Sequence, residues 1–248
     1  MSRFVTVFAV CALSATAAMA QSVSPAITAA VNDPGRPAAD KARDADRKPG
    51  ESVAFSGLKP GDKIADFLPG GGYFTRIFAK AVGPGGHVYA VVPAEFIEGR
   101  DGPRAEIAAV LPPYPNASLD VVPYGQTGAP EKLDIVWTSL NYHDLHNPGF
   151  KVPDIAALNK AVFNALKPGG IFMVIDYAAV PGTGFDSTGK LHRVDEEAVK
   201  KEVEAAGFVL DGESKILHQA GDDHTLASGS ETQRDKADEF MLRFKRPA

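Results

Sequence analysis

Cysteine is nearly absent from this chain of 248 residues, because Cys11 is the only one. Cys11 lies in a segment that we expect to be removed, so the mature chain would contain no thiol. Disulfide bonds and thiolate chemistry are therefore excluded from the mechanism. Long apolar runs are also lacking, since nothing after the first twenty residues approaches membrane-spanning length.

An excess of positive charge is missing as well. The chain has 26 Lys and Arg against 31 Asp and Glu. No run of basic residues forms a stripe that could follow a phosphate backbone, so the charge argues against a nucleic-acid partner. With 44% hydrophobic residues, the chain can nevertheless form a full core.

The first twenty residues have the pattern of a secretory signal peptide. Arg3 gives a positive start, residues 4–18 are uncharged and largely apolar, and "AMA" ends at Ala20 as a small-x-small cleavage site. We expect cleavage after Ala20 and export, most simply to a periplasm. The alternative is a buried N-terminal helix.

Residues 21–50 are rich in Ala, Pro and charge, and we interpret them as an N-terminal extension with one short helix over 38–47. "KPG" (48–50) is expected to stop that helix. One face of the helix carries charged residues at helical spacing, which are Asp40, Arg43, Asp44 and Arg47. This face is either simply solvated or a lid over a cofactor.

From Lys63 onward, apolar strands alternate with amphipathic helices. The predicted strands are 63–68, 85–92, 117–124, 132–140 and 171–180, and the predicted helices are 73–83, 154–166 and 195–207. Two further strands, 208–217 and 239–246, have no helix between them. The pattern predicts an α/β domain over 51–248, with a three-layer, Rossmann-like, doubly wound and mostly parallel sheet that ends in an antiparallel strand pair.

The stretch "DFLPGGGYF" (66–74) joins the first predicted strand to the first helix. Gly70, Gly71 and Gly72 have no side chains, so a ligand could approach the backbone closely. The following helix offers free N–H groups. Taken alone, however, the stretch is equally consistent with a tight turn that binds nothing.

Four segments together resemble the class I S-adenosylmethionine-dependent methyltransferases, in particular the small-molecule type related to ubiquinone-biosynthesis C-methyltransferases. These segments are "GLKPGDKIADFLPGGGYFTRIFAKAVGPGGHVYAV", "KLDIVWTSLNYHDL", "LNKAVFNALKPGGIFMVIDY" and "LHRVDEEAVKKEVEAAGF". The resemblance covers roughly residues 40–248. It implies S-adenosylmethionine as cofactor, a small-molecule acceptor, and a cofactor site made by Asp66, Gly70, Gly71, Gly72, Tyr73 and Asn141.

Two positions depart from the family pattern. Leu68 stands where the first glycine of the loop is usual, and Val92 stands where the family carries an acid for the ribose hydroxyls. Glu95 is the nearest acid after Val92, and we predict that it takes the ribose role.

The loop "NYHDLH" (141–146) is the best candidate for chemistry, because it follows the fourth strand. We predict His143 as a base, oriented by Asp144. Tyr142, Asp176, Tyr177 and His192 are predicted to face the substrate. The alternative is that this histidine and aspartate are structural. "HDLH" and "HQAGDDH" lack a recognised metal spacing, so no metal is predicted.

The leading hypothesis is methyl transfer to a small molecule. Export conflicts with it, because S-adenosylmethionine is made inside cells. Three resolutions are open: the signal is not cleaved, the cofactor reaches the periplasm, or the fold has been retained for another task. The alternatives are a catalytically inactive, methyltransferase-like binding protein of the cell envelope, and an α/β enzyme with another cofactor.

Overall fold

The computed structural model of the protein describes residues 22–230, 232–233 and 236–248. The predicted signal peptide and its cleavage site lie outside these residues. Within them, one sheet of seven strands has the order β3-β2-β1-β4-β5-β7-β6. The strands are β1 (Lys63–Phe67), β2 (His87–Pro93), β3 (Ala117–Val122), β4 (Leu133–Ser139), β5 (Leu166–Tyr177), β6 (Val209–Ser214) and β7 (Glu239–Lys245).

The strand pairing confirms the predicted sheet. β1 pairs in parallel with β2 and β4, and β3 and β5 continue the parallel sheet on either side. β7 runs antiparallel between β5 and β6, so the terminal pair is antiparallel as predicted. The chain order reverses between β1 and β4, which is where ligands bind in open α/β sheets.

Helices cover both faces of the sheet and give the predicted three layers. On one face, α1 (Pro25–Val31), α4 (Pro49–Ser56), α5 (Tyr73–Val82) and α6 (Gly102–Val110) contribute to one apolar core. On the other, α7 (Ile155–Ala165) and α9 (Glu196–Ala205) contribute to a second. The two cores alternate along each strand because successive side chains point to opposite faces.

The amphipathic helices begin and end where the sequence predicts. α5 buries Phe74, Ile77 and Phe78 and is followed by Gly83 with a positive φ of 66°. α9 begins after Asp195, whose side chain accepts a hydrogen bond from the backbone N–H of Glu197. Such N-caps supply an acceptor that the first helical turn lacks.

The extension differs from its prediction of a single helix. It contains α1, and residues 38–47 form two one-turn helices, α2 (Ala38–Lys41) and α3 (Asp44–Arg47), separated at Ala42 and Arg43. "KPG" ends the helical segment as predicted, because α3 stops at Arg47 and Lys48 is left-handed with φ 41°. A new helix, α4, then begins at Pro49. A proline at that position loses no hydrogen bond, since the first turn has no acceptor for its N–H.

Two other elements differ from the pattern. Residues 166–170, which lie at the boundary between the predicted helix 154–166 and the predicted strand 171–180, are part of β5. This strand begins at Leu166 with a register shift against β4. α6 is absent from the prediction because its periodicity is weak, with only Ile107 and Val110 buried. No described helix is long and apolar enough to cross a membrane.

The long connection between β6 and β7 is held by a buried ion pair. Arg193 precedes α9 and donates to Asp222 Oδ2 at 2.8 Å, and neither side chain is exposed. Arg193 also donates to the carbonyl oxygens of Ala178 and Leu226. One guanidinium thus joins the end of β5 to two points of the loop.

We expect Arg193→Met to lower the free energy of unfolding by about 3 to 5 kcal/mol, because it leaves Asp222 buried without its cation. Denaturant unfolding followed by circular dichroism measures this change. Arg104→Met, at an exposed position of α6, is the control and should change stability by less than about 0.5 kcal/mol. Equal stability of both variants would contradict the assignment.

Candidate active site

A cavity of about 350 Å³ opens at the carboxyl ends of β1 and β4. This volume is in the range of small-molecule sites. The predicted cofactor residues Asp66, Gly70, Gly71, Tyr73 and Asn141 all line it. Gly72 is absent from the lining, since its α-carbon faces Ile107 and Val110 of α6, where a methyl group would clash at 2.8 Å.

Both strands leave the sheet through a strained leucine at this cavity. Leu68 after β1 has φ 56° and Leu140 after β4 has φ 62°, and both line the cavity. The left-handed conformation costs a non-glycine residue about 1–2 kcal/mol. Leu68 therefore adopts the backbone shape of the glycine that is usual in the resembling family, and strain of this kind clusters at functional sites.

Asn141 ties the two loops together. Its side-chain amide donates to Leu68 O at 3.0 Å and to Ser139 O at 2.7 Å. Because both of its N–H groups are used, the amide fixes the width of the cavity between the glycine loop and β4.

Asp66 is the buried acid of the cavity. It is 3% exposed and accepts a hydrogen bond from Thr75 Oγ1 at 2.6 Å. Burial raises the pKa of Asp66 to about 6, although the Thr75 hydrogen bond and the charge of Arg47 offset part of that rise. The carboxylate is thus ionised at neutral pH but incompletely satisfied, which suits a cationic ligand.

The extension forms one wall of the cavity, as the lid interpretation of its charged face requires. Asp40, Arg43 and Arg47 line the cavity. The guanidinium of Arg47 lies 4.5 Å from the ring centroid of Tyr73 and 4.9 Å from that of Phe74. It also donates to Ser139 Oγ at 3.1 Å. Cation–π and hydrogen-bond contacts therefore fix a positive charge beside Asp66.

Asp44 holds this wall in place from behind. Arg36, whose side chain is fully buried, donates to both carboxylate oxygens of Asp44 at 2.7 and 2.8 Å. The Tyr73 hydroxyl donates to Asp44 Oδ1 at 2.6 Å. Bidentate arginine–carboxylate pairs are the stronger kind of ion pair, so this clamp attaches α3 to the glycine loop.

The predicted ribose acid is not at the cavity. Glu95 Oε2 accepts a hydrogen bond from Tyr124 N at 3.1 Å, and Glu95 is outside the lining residues. Val92 is buried in the core. The glutamate that lines the cavity, besides Asp40 and Asp66, is Glu106 of α6. Its Oε1 lies 2.8 Å from where a Cβ on Gly71 would stand. Glu106 is not among the predicted residues, because α6, which carries it, is not predicted from the sequence.

A second polar cluster lies at the ends of β4 and β5. His143 begins a short 3-10 turn (His143–His146), and its Nδ1 donates to Asp176 Oδ1 at 2.7 Å. His143 N donates to Asp176 Oδ2 at 2.6 Å. Asp176 is fully buried, so it orients His143 from below, and the Tyr177 ring lies 6.3 Å from that imidazole.

The remaining face of His143 meets two other residues. Its Nε2 is 3.3 Å from Asp144 Oδ1 and 3.3 Å from His192 Nδ1. His192 follows the one-turn helix α8 (Thr188–Leu191) and has φ 50°. Burial alone would lower the pKa of His143, but the carboxylates of Asp176 and Asp144 raise it to about 10. This imidazole would have to lose a proton before it could serve as the predicted base.

The side chain of Tyr142 points away from the Asp66 cavity and from the cluster around His143. It is fully buried, donates to Glu202 Oε2 at 2.6 Å and accepts from Asn159 Nδ2 at 2.8 Å. These contacts anchor the loop to α7 and α9, so the structure places this predicted substrate residue in the core. Arg193, beside His192 in sequence, is likewise a buried structural residue.

No protein-family model matches this chain. A curated relative, the ubiquinone/menaquinone biosynthesis C-methyltransferase UbiE of Cupriavidus taiwanensis, is 28% identical over 131 residues. The match covers 52% of this chain and 49% of the relative, so the chain spans about half the length of that protein.

Solved structures show the fold. The crystal structure of a SAM-dependent methyltransferase from Aquifex aeolicus has a TM-score of 0.54 at 16% identity, covering 78% of this chain and 86% of that one. The [4+2]-cyclase SpnF has a TM-score of 0.55 at 17% identity, covering 85% and 82%. The chain therefore has the class I methyltransferase fold, and a protein named as a cyclase shares that fold, so the fold alone does not fix the reaction.

We expect Asp44→Ala to release the wall of the cavity. The variant leaves the guanidinium of Arg36 buried without its carboxylate partner. This loss should destabilise the attachment of α3 by about 3 kcal/mol. Limited trypsin cleavage after Arg43 and Arg47 should then accelerate about 100-fold, because opening precedes cleavage. Asp46→Ala, at an exposed position of the same helix, should leave the rate unchanged. If the two variants are cleaved alike, the clamp does not hold α3.

Proposed function

We propose that this protein transfers a methyl group from S-adenosylmethionine to a small-molecule acceptor. The observation that carries the proposal is the cavity at the β1–β4 switch point, where Asp66, the glycine loop and Asn141 converge. The fold and the partial match to a C-methyltransferase support it.

The charges of the cavity complement the methionine part of the cofactor. Asp66 offers a buried carboxylate to an ammonium group, and Arg43 and Arg47 offer cations to a carboxylate. Gly70 and Gly71 leave the backbone accessible at the beginning of α5. A zwitterion is the ligand class that this donor set fits, and Glu106 is the acid placed to meet the ribose hydroxyls.

S-adenosylmethionine supplies the methyl group on a positively charged sulfur. The acceptor atom forms the new bond to the methyl carbon while the carbon–sulfur bond breaks, so the protein chiefly aligns the two reactants. A base is needed only when the acceptor carries a proton. His143 stays the predicted base, with Asp144, and Tyr177 and His192 stay predicted substrate contacts at the same edge of the sheet. The acceptor class is proposed no further than a small molecule.

The inactive binding protein receives no specific support from the residues that the structure describes. Turnover separates the two functions, since only an enzyme converts labelled cofactor to S-adenosylhomocysteine when small-molecule extracts are added.

Export is a separate proposal that rests on the sequence of residues 1–20. We propose cleavage after Ala20 and a periplasmic location. Intact-mass measurement of the protein from its native host should give a chain that begins at Gln21. A chain that retains Met1 or Ser2 would overturn this proposal and leave methyl transfer untouched.

Asp66→Asn should weaken S-adenosylmethionine binding at least about 30-fold, because removing one member of a buried charge pair costs 2 kcal/mol or more. Isothermal titration calorimetry on the purified protein measures the affinity. Asp62→Asn, just before β1 and remote from the cavity, is the matched control and should bind normally. Wild-type protein that fails to bind millimolar cofactor would overturn the proposed function, and unchanged binding by Asp66→Asn would place the ammonium group elsewhere.

The affinity should also depend on pH through Asp66. Its carboxyl is protonated below its pKa of about 6 and ionised above it, and only the ionised form attracts an ammonium group. We therefore expect affinity to fall about tenfold from pH 7 to pH 5 and to level off above pH 7. Asp66→Asn should flatten this profile; a profile that keeps its slope in the variant would assign the titration to another group.

A further inference from the structure

The cluster of His143, Asp144 and His192 contains three ligand-type atoms that face one another. Nε2 of His143, Oδ1 of Asp144 and Nδ1 of His192 are separated by 3.3, 3.3 and 3.4 Å. The three atoms therefore form a nearly equilateral triangle. Two of the residues are adjacent in sequence and the third follows 49 positions after His143, so no local spacing motif announces the group.

Hydrogen bonding explains this arrangement only in part, since the one recorded hydrogen bond among the three atoms joins His192 Nδ1 and His143 Nε2. Asp176 accepts from His143 N, His143 Nδ1 and Tyr177 N, which holds a proton on Nδ1. A metal ion would therefore bind at Nε2 and displace the second proton of the charged imidazole. Asp144 Oδ1 is buried and has no hydrogen-bond partner among the described residues. A hydrogen bond joins two atoms along one direction, whereas here three electron-rich atoms share one centre.

The dimensions of the triangle fit a tetrahedral metal ion. With metal–ligand bonds of about 2.0–2.1 Å, two ligand atoms of a tetrahedral site are about 3.3–3.4 Å apart. An octahedral site with bonds of similar length would bring them to about 3.0 Å. Two imidazole nitrogens and one carboxylate oxygen are donors that zinc accepts and magnesium does not favour.

The surroundings have the features of a metal site as well. Asp176 accepts the Nδ1 proton of His143, the carboxylate–histidine contact that orients ligands and raises their basicity. His192 is held at φ 50°, a strained conformation of the sort that accumulates at functional positions. Its side chain is 46% exposed, so the cluster is open to solvent on that side.

We propose that His143, Asp144 and His192 form a binding site for one divalent transition-metal ion of the zinc type, bound through His143 Nε2, Asp144 Oδ1 and His192 Nδ1. The three ligands leave a fourth tetrahedral position for water or for an oxygen or nitrogen of a ligand. Asp176 is a positioning residue. None of these four residues lines the Asp66 cavity, so cofactor binding there does not depend on the inference. A metal ion on Nε2 excludes the general-base role of His143, so the two roles are alternatives for this imidazole.

The test uses the purified full chain, freed of metal with a chelator and titrated with Co²⁺ and then Zn²⁺. We expect one Co²⁺ per chain with the intense visible bands of tetrahedral cobalt, and their loss when Zn²⁺ displaces it. His192→Asn removes the imidazole but keeps a residue that tolerates a positive φ. It should weaken binding at least about 100-fold, more than the 10- to 100-fold expected for Asp176→Asn.

His218→Ala is the matched control, because it also removes a half-exposed histidine bonded to an aspartate, Asp238. It should bind the metal like the wild type. The proposal is overturned if the wild type binds no stoichiometric Co²⁺, if the bound cobalt is octahedral, or if His192→Asn binds as tightly as His218→Ala. Circular dichroism of both variants verifies that the fold is retained.

Discussion

The parallel pairing of β1 with β4 is the constraint from which the site follows. Phe67 lies opposite Thr138 in this pairing, so the two strands end together at one edge of the sheet. The glycine loop and the loop after β4 must then leave side by side. Asn141 can bridge them only because their carbonyl oxygens come within one side-chain length, and Asp66 faces the space that they enclose. The remaining residues that line the cavity, from the extension and from α6, pack around these two loops.

Much of this frame could be predicted from the sequence. The apolar runs predict the strands, and the spacing of Phe74, Ile77 and Phe78 predicts α5. Both patterns follow the burial of side chains, since the sheet is covered on both faces. α6 was missed because few of its residues are buried, and the two turns of the extension were joined into one helix. At such places tertiary contacts, among them the Arg36–Asp44 clamp, decide the backbone against weak local preferences.

Only those site residues that directly follow a predicted strand in the chain could be predicted from the sequence. Asp66, Gly70, Gly71 and Asn141 line one cavity, and their positions can be read from the sequence because they follow strands that the pattern identifies. Glu95 is the nearest acid after Val92 in sequence. Glu106, the glutamate that lines the cavity, lies instead on α6, which the sequence pattern does not predict. The approach of His192 to His143 depends on how the segment after β5 folds back, which no spacing encodes. The sequence shows Leu68 as a departure from the family's glycine pattern. Its left-handed backbone conformation, however, is visible only in the structure.

The wall built from the extension has a kinetic consequence. Arg43 and Arg47 line the cavity on a segment fastened by a buried arginine, so detachment of that segment would open this side of the cavity. The residence time of a bound molecule would then depend on the frequency of this local opening as well as on the strength of its own contacts. Release of a ligand would then depend on residues 36–47 of the extension, although the ligand itself would contact the ends of β1 and β4.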